Sequence, residues 1–353
     1  MEGLFTKAKG MEFPRRILAG HGALEGLPQM CRDFQLEGPA LLVTGPTTMQ
    51  VAGRVAADSL VEAGYDVHIL EVGQATLDAV QVVKTGVLET NSGFLLGVGG
   101  GSKIDIAKLA ACELARPFIS VPTSAAHDGI ASPRASIKGP EGSLSFDAVE
   151  PMGVVADTSV IIKSPWRLLA AGCGDVLANL TAVLDWELAH RLKGEEFSSS
   201  AATLSRMVAQ QILDNADSIK PTLEESAWIM IKPVLVSGVS MSIAGTSRPT
   251  SGSEHMFSHA LDKIAPGRAL HGEQCGVGTV LSMALHGGDW QRVRHALEVI
   301  GAPTTAKQLN VTKEELIKAM TTAHKVRDRY TILGETGLTE EAAERLARNT
   351  KVI

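Results

Sequence analysis

Between residues 40 and 121, short β-branched runs alternate with segments of helical period, an order that restricts this part of the chain to a parallel sheet with helical crossovers. Strands are predicted over 40–44, 65–72, 94–98 and 118–121, and helices over 51–63, 77–89 and 102–114. Gly45-Pro46, Gly64, Gly99-Gly100-Gly101 and Pro122 punctuate the series. Residues 135–155 break the rhythm, and the segment around Gly139-Pro140-Glu141-Gly142 reads as a hairpin turn. After Lys163-Ser164-Pro165 the helical period persists, with helices predicted over 168–192, 198–218, 223–243, 272–284, 290–300, 313–328 and 340–348. The fold class is therefore an α/β first half, Rossmann-like, followed by an all-α second half, with no internal repeat or low-complexity tract.

The 353 residues suffice for two domains, and 44% apolar with 20% charged residues excludes disorder. Thirty-five glycines against eight Phe, two Tyr and four Trp point to tight backbone turns. A net charge of -6 argues against nucleic acid and anionic membrane surfaces and favours a small-molecule partner. Cys31, Cys112, Cys173 and Cys275 stand singly, which builds neither a disulfide framework nor a sulfur-rich zinc site and fits a reducing cytoplasm. The opening MEGLFTKAKGMEFPRRILAG lacks the continuous apolar run of a secretory signal, and the apolar window 168–184 contains Asp175 and Asn179, so a buried helix is expected there, with no membrane insertion.

Three constellations could carry chemistry. Gly97-Val98-Gly99-Gly100-Gly101-Ser102-Lys103-Ile104-Asp105 lies between a strand and a helix, where glycines and free N–H groups admit a pyrophosphate. Ser102 and Asp105 are spaced as a capping box, and the turn can equally be architectural, because it is neither GxGxxG nor a Walker loop. The segment from Val121 to Arg134, rich in hydroxyls, begins where ligands of open α/β sheets bind, although Ser/Thr and Asx turns would also account for it. Asp175, inside an apolar helix, needs a cation, a proton or a paired donor such as Arg167. His255 and His259, one helical turn apart, and His271 at another helix start offer imidazoles; one carboxylate with two of them would make an open Zn²⁺ or Fe²⁺ site.

The segments GVGGGSKIDIAK, VPTSAAHDGIASP, GCGDVLAN, SGSEHMFSHALD and LHGEQCG, in this order over nearly the whole chain, resemble the archaeal sn-glycerol-1-phosphate dehydrogenases. These belong to the wider group of iron-dependent alcohol dehydrogenases, glycerol dehydrogenase and dehydroquinate synthase. The resemblance implies a dinucleotide-binding α/β domain over 1–163, a helical metal- and substrate-binding domain over 164–353, and an active site in the cleft between them. It places cofactor contacts on Gly99, Gly100, Gly101, Ser102, Lys103, Ile104 and Asp105, and on Thr123, Ser124, Ala125, Ala126 and Ser132. It places metal ligands on Asp175, His255 and His271, and substrate contacts on Asp128, Asp175 and His259, the five together forming the catalytic set.

The implied reaction is the reversible reduction of dihydroxyacetone phosphate to sn-glycerol 1-phosphate, which supplies the glycerophosphate of archaeal membrane lipids. NAD(H) and NADP(H) are the expected cofactors, with one Zn²⁺ per subunit to polarise the ketone and Fe²⁺ or Ni²⁺ as other occupants. No carboxylate follows the first predicted strand, where Gly45-Pro46 stands, so NADPH is expected to be accepted as well as NADH, although Glu71 could supply that acid. Water or His259 would provide the proton. Arg134 and Arg248 are phosphate candidates by their place in the sequence, each weighed against a plain surface charge, and Cys275 reads as a buried inert thiol. A homo-oligomer is expected from the apolar second half. The alternatives are a glycerol dehydrogenase acting on unphosphorylated dihydroxyacetone, a dehydroquinate synthase-like lyase, and a catalytically silent metal-binding protein.

Overall fold

β2 (Ala40–Thr44), β4 (Phe94–Gly99) and β5 (Phe118–Pro122) are buried along their whole length, as strands covered on both faces by helices must be. In the computed structural model, which describes residues 10–139 and 142–353, they form the middle of a six-stranded parallel sheet. The other strands are β1 (Arg16–Gly20), β3 (Val67–Glu71) and β8 (Gly153–Asp157), and the order is β1-β8-β5-β4-β2-β3. The chain leaves β2 toward one edge and β4 toward the other. The crevice between the ends of these two strands is thus the topological switch point at which open α/β sheets bind ligands.

α1 (Leu27–Asp33), α2 (Pro46–Thr48) and α3 (Arg54–Glu62) cover one face, packing Leu27, Met30, Ala56 and Leu60 against Phe94, Leu96 and Ile119. A π-turn over Met49–Gly53 joins α2 to α3. α4 (Leu77–Glu89) and α5 (Gly101–Glu113) cover the other face. Strands β6 (Arg134–Gly139) and β7 (Gly142–Asp147) pair antiparallel as the expected hairpin, whose turn residues Pro140 and Glu141 lie outside the described residues, as do 1–9 of the opening stretch read for a signal.

The remainder is helical: α6 (Thr158–Ile161), α7 (Trp166–Leu177), α8 (Asn179–Lys193), α9 (Ser199–Asn215), α10 (Glu224–Ala244), α11 (Ser253–Ile264), α12 (His271–Leu285), α13 (Trp290–Ile300), α14 (Lys313–Thr322) and α15 (Glu340–Asn349). The single helix predicted over 168–192 is two, meeting at Ala178. The helix predicted over 313–328 stops at Thr322, and a short 3₁₀ turn over Ala323–Lys325 follows. Two helical stretches, 166–193 and 224–244, are long and apolar enough to cross a membrane, but 89% and 67% of their apolar windows are buried inside the protein. Most of their apolar surface is therefore packed inside the fold. One core cluster runs without interruption from Leu41, Leu95 and Phe118 beneath the sheet to Val176, Val234, Val277 and Leu316 in the helical half.

Candidate active site

Glycines set the distance between α7 and α12. A Cβ on Gly174 would stand 2.3 Å from the Gly272 carbonyl oxygen, and one on Gly272 would stand 2.0 Å from that of Ala171. Side chains are thereby excluded from the crossing, and Asp175 on α7 meets His271 at the first turn of α12. A third glycine, Gly172, admits the carbonyl of Ala125 at 1.8 Å from its would-be Cβ, which seats the loop after β5 on the same helix.

Asp175 is buried. Its Oδ2 accepts the backbone N–H of Asp128 at 3.1 Å, while its Oδ1 has no hydrogen-bond partner among the described residues. Oδ1 faces His255 Nε2 at 3.5 Å and His271 Nε2 at 3.6 Å. Each imidazole is turned that way by a partner on its other nitrogen. His255 Nδ1 donates to Glu254 Oε1 at 2.9 Å, and Glu254 is held by Thr181 Oγ1 at 2.7 Å. His271 Nδ1 donates to Ser258 Oγ at 3.1 Å, because that hydroxyl gives its own hydrogen to Gln274 Oε1 at 2.6 Å. Both Nε2 atoms therefore point at the orphaned carboxylate oxygen, the arrangement in which outer partners orient metal-ligating histidines.

Three donors around one Zn²⁺ at 2.0–2.1 Å would stand about 3.3 Å apart in a tetrahedron, so Asp175, His255 and His271 fit a divalent ion with little movement. Burial disfavours charge on His255, yet Cys275, Asp175 and Glu254 raise it well above the ordinary histidine value, and His271 is raised to about 9 against the same burial penalty by Cys275 and Asp175. The cluster stabilises positive charge, which a divalent cation would supply. Cys275 Sγ lies 3.5 Å from His271 Nε2, and its donor atom falls with the other three inside a 4.8 Å cluster. That corrects its reading as a bystander: His255 and His271 lower its thiol pKa against burial. Arg167 does not pair with Asp175; its guanidinium grips Glu273 at 2.6 and 2.7 Å. The His271 side chain keeps 39% of its surface exposed, so the cluster opens to solvent.

His259 extends the cluster, its ring centroid 5.8 Å from that of His271. Its Nε2 lies 3.0 Å from Arg327 Nη2, and a guanidinium can only donate. Nε2 is therefore the acceptor and the ring proton sits on Nδ1, a buried donor with no partner among the described residues. Burial and Arg327 hold the ring well below the usual histidine range, so it is neutral. In this tautomer the ring presents Nδ1–H as its one donor. Asp128 Oδ2 accepts from Ser237 Oγ at 3.0 Å, and burial together with Asp175 raises its carboxyl to about 6.

At the sheet edge, Gly99 and Pro122 are register neighbours, and the Thr123 N–H donates to the Gly99 carbonyl at 3.0 Å. The turn and the hydroxyl-rich loop are thereby one surface, with Gly100 close to Ser124 and Gly101 so close to His127 that a Cβ would lie 1.6 Å from its Nε2. α5 begins at Gly101 with Gly100 as N-cap, so the expected Ser102/Asp105 capping box does not form. Asp105 instead turns inward, receiving Lys108 Nζ at 3.3 Å and the Ser136 N–H at 3.0 Å, and Ile104 is fully buried. Lys103 packs against Gly45 and donates to the Gly73 carbonyl. Ser132 is buried and accepts from the Arg134 N–H at 3.3 Å. The loop then reaches the cluster through Asp128, joining the phosphate-type turn to the cation site.

The two arginines singled out from the sequence are occupied elsewhere. Arg248 is buried with its guanidinium on Glu195 and on the Tyr330 carbonyl, and Arg134 bonds Ser145 and Asp147 of the hairpin. Arg327 escaped notice because the helical period over 313–328 masks the break after Thr322.

A family model described as iron-containing alcohol dehydrogenase matches residues 18–165. Glycerol-1-phosphate dehydrogenase (NAD(P)+) of Methanothermobacter thermautotrophicus is 54% identical over 344 residues, covering 97% of this chain and 99% of that one. The enzyme of the same name from Methanosarcina mazei is 55% identical over 349 residues, covering 99% and 98%. The crystal structure of glycerol dehydrogenase from Schizosaccharomyces pombe superposes with a TM-score of 0.79 at 21% identity, covering 98% of this chain and 91% of that one, a likeness of fold.

Proposed function

The chain belongs to the glycerol-1-phosphate dehydrogenase family, and from that premise we propose how its residues carry out the family's reaction. It is an NAD(P)-dependent oxidoreductase that reduces dihydroxyacetone phosphate to sn-glycerol 1-phosphate, a step of lipid synthesis. The observation that carries the residue-level reading is the orphaned Oδ1 of Asp175, faced by two imidazole Nε2 atoms.

Asp175, His255 and His271 would hold the divalent ion, and we take it to be Zn²⁺, since the nearby Cys275 thiol and the nitrogen donors suit a borderline-soft cation. When bound, that ion supplies Lewis acidity toward the ketone, and the nicotinamide supplies hydride. The free N–H groups at the start of α5 bind the cofactor's pyrophosphate, with Thr123 to Ala126 and Ser132 shaping the adjoining wall. His259 donates through Nδ1 to a substrate oxygen, and Asp128 orients a substrate hydroxyl while its backbone N–H steadies Asp175. Water is the proton source in this reading, because His259 keeps its proton for that hydrogen bond. The chain acts as a homo-oligomer in a reducing cytoplasm; four unpaired cysteines support the compartment.

The test is oxidation of NADH and NADPH with dihydroxyacetone phosphate before and after chelation, with metal analysis and determination of product chirality. Turnover that survives complete metal removal would overturn the assignment of Asp175, His255 and His271.

A further inference from the structure

We propose that Arg327 holds the phosphate group of the substrate. The inference rests on the reading of the substrate as a phosphorylated ketone and adds the group that recognises the phosphate.

A chain of net negative charge must concentrate positive charge locally to bind a phosphate dianion. Arg167 is taken by Glu273, and of Arg134, Arg248, Arg329 and Arg327 the first three have their guanidiniums engaged. Arg248 is neutralised by Glu195, Arg134 bonds Ser145 and Asp147, and Arg329 donates to the Ser251 carbonyl and to Ser247 Oγ at 2.9 Å. Arg327 differs. Among the described residues it forms no ion pair, and one hydrogen bond engages it, the 3.0 Å contact with His259 Nε2. A guanidinium has five N–H donors, so most of its fork is left open. The side chain is half-buried, and burial together with the facing Arg134 disfavours its charge. A half-buried cation beside a second cation, with only an imidazole acceptor for a partner, has the free donors and the charge to bind an anion.

Its position matches the ligand. Arg327 is separated from the metal-ligating His271 only by the His259 ring, which is tilted against His271 at 5.8 Å. In dihydroxyacetone phosphate the phosphorus lies about 4–5 Å from the ketone oxygen at standard bond lengths. A ketone oxygen at the Asp175 cluster therefore leaves the phosphate about 4–5 Å from it, a reach comparable to the 5.8 Å between the rings of His271 and His259, the residue that Arg327 contacts. The contact with His259 gives Arg327 a second effect: it fixes the tautomer that presents Nδ1–H to the substrate.

The experiment compares kcat/KM for dihydroxyacetone phosphate and unphosphorylated dihydroxyacetone in the wild type, Arg327→Lys and Arg327→Gln, with inorganic phosphate as a competitive inhibitor. A wild type without preference for the phosphorylated ketone would sink the substrate reading itself, independently of Arg327. Given that preference, Arg327→Gln, which can still donate to His259, is expected to cut the ratio of the two kcat/KM values about 100-fold, mainly through KM, and to weaken phosphate inhibition in parallel. Arg327→Lys is expected to recover part of both. The ratio is independent of the fraction of metal-loaded sites. Wild-type ratio and wild-type phosphate inhibition in Arg327→Gln would overturn the proposal. Should that variant fail to fold, Arg327→Lys decides, since loss of the bidentate fork alone is expected to lower the ratio about tenfold, and an unchanged ratio with unchanged phosphate inhibition would refute the assignment.

Discussion

Gly174 and Gly272 meet backbone to backbone, with room for no side chain between them. This contact holds the carboxylate of one helix within reach of the imidazole that starts another. Gly174→Ala is expected to cost about 1–3 kcal/mol through overpacking and to weaken metal binding more than tenfold by parting Asp175 from His271. Thermal unfolding and competitive chelator titration would measure both, and wild-type values in each would show that the helices have slack.

Removing the ion should matter to the fold as well as to turnover, because Asp175 Oδ1, His255 Nε2 and His271 Nε2, the atoms assigned to it, would be left facing one another. Dialysis against a chelator is expected to lower Tm, and added Zn²⁺ to restore it in a concentration-dependent manner. In Asp175→Asn the same titration should show no Zn²⁺-dependent rise; a rise of wild-type size would mean that the carboxylate is not a ligand.

Cofactor choice should respond at Gly45. Lys103 packs on this glycine at the end of β2, which leaves a cation and no acid at the switch point; Glu71 lies one strand away at the end of β3. Gly45→Asp is expected to reduce kcat/KM with NADPH at least about tenfold relative to NADH, by repulsion of the 2′-phosphate. Steady-state kinetics with both cofactors settle the matter, and an unaltered ratio would place the adenosine end elsewhere.

Thiol chemistry should separate the four cysteines. Cys112 is exposed, whereas Cys31, Cys173 and Cys275 are buried, and burial pushes Cys31 up to about 12. Native protein treated with an aromatic disulfide reagent is expected to lose Cys112 quickly and Cys31 and Cys173 only on unfolding, as peptide mapping would show. Rapid modification of Cys31 would contradict the packing around α1.

The elements readable in the sequence are those whose signals are local. α4 falls on its predicted 77–89 because Thr76 caps it and apolar residues recur on one face. β1, β8 and α1 were not legible: β1 is a short, half-exposed edge strand whose partner lies more than a hundred residues downstream, and nothing within RILAG announces that pairing. The metal-type residues were visible as types, yet their convergence depends on glycine contacts between α7 and α12 that no spacing encodes. Arg327 was hidden for a related reason. The period continues past Thr322, while the backbone leaves the helix there and turns the guanidinium toward His259.

The unbroken apolar core from Leu41 to Leu316 has a bearing on how the molecule comes apart. Because one apolar cluster spans both halves, sheet and helices should melt as a single cooperative unit, giving one calorimetric peak, so that damage deep in the last helices is felt at the nucleotide end.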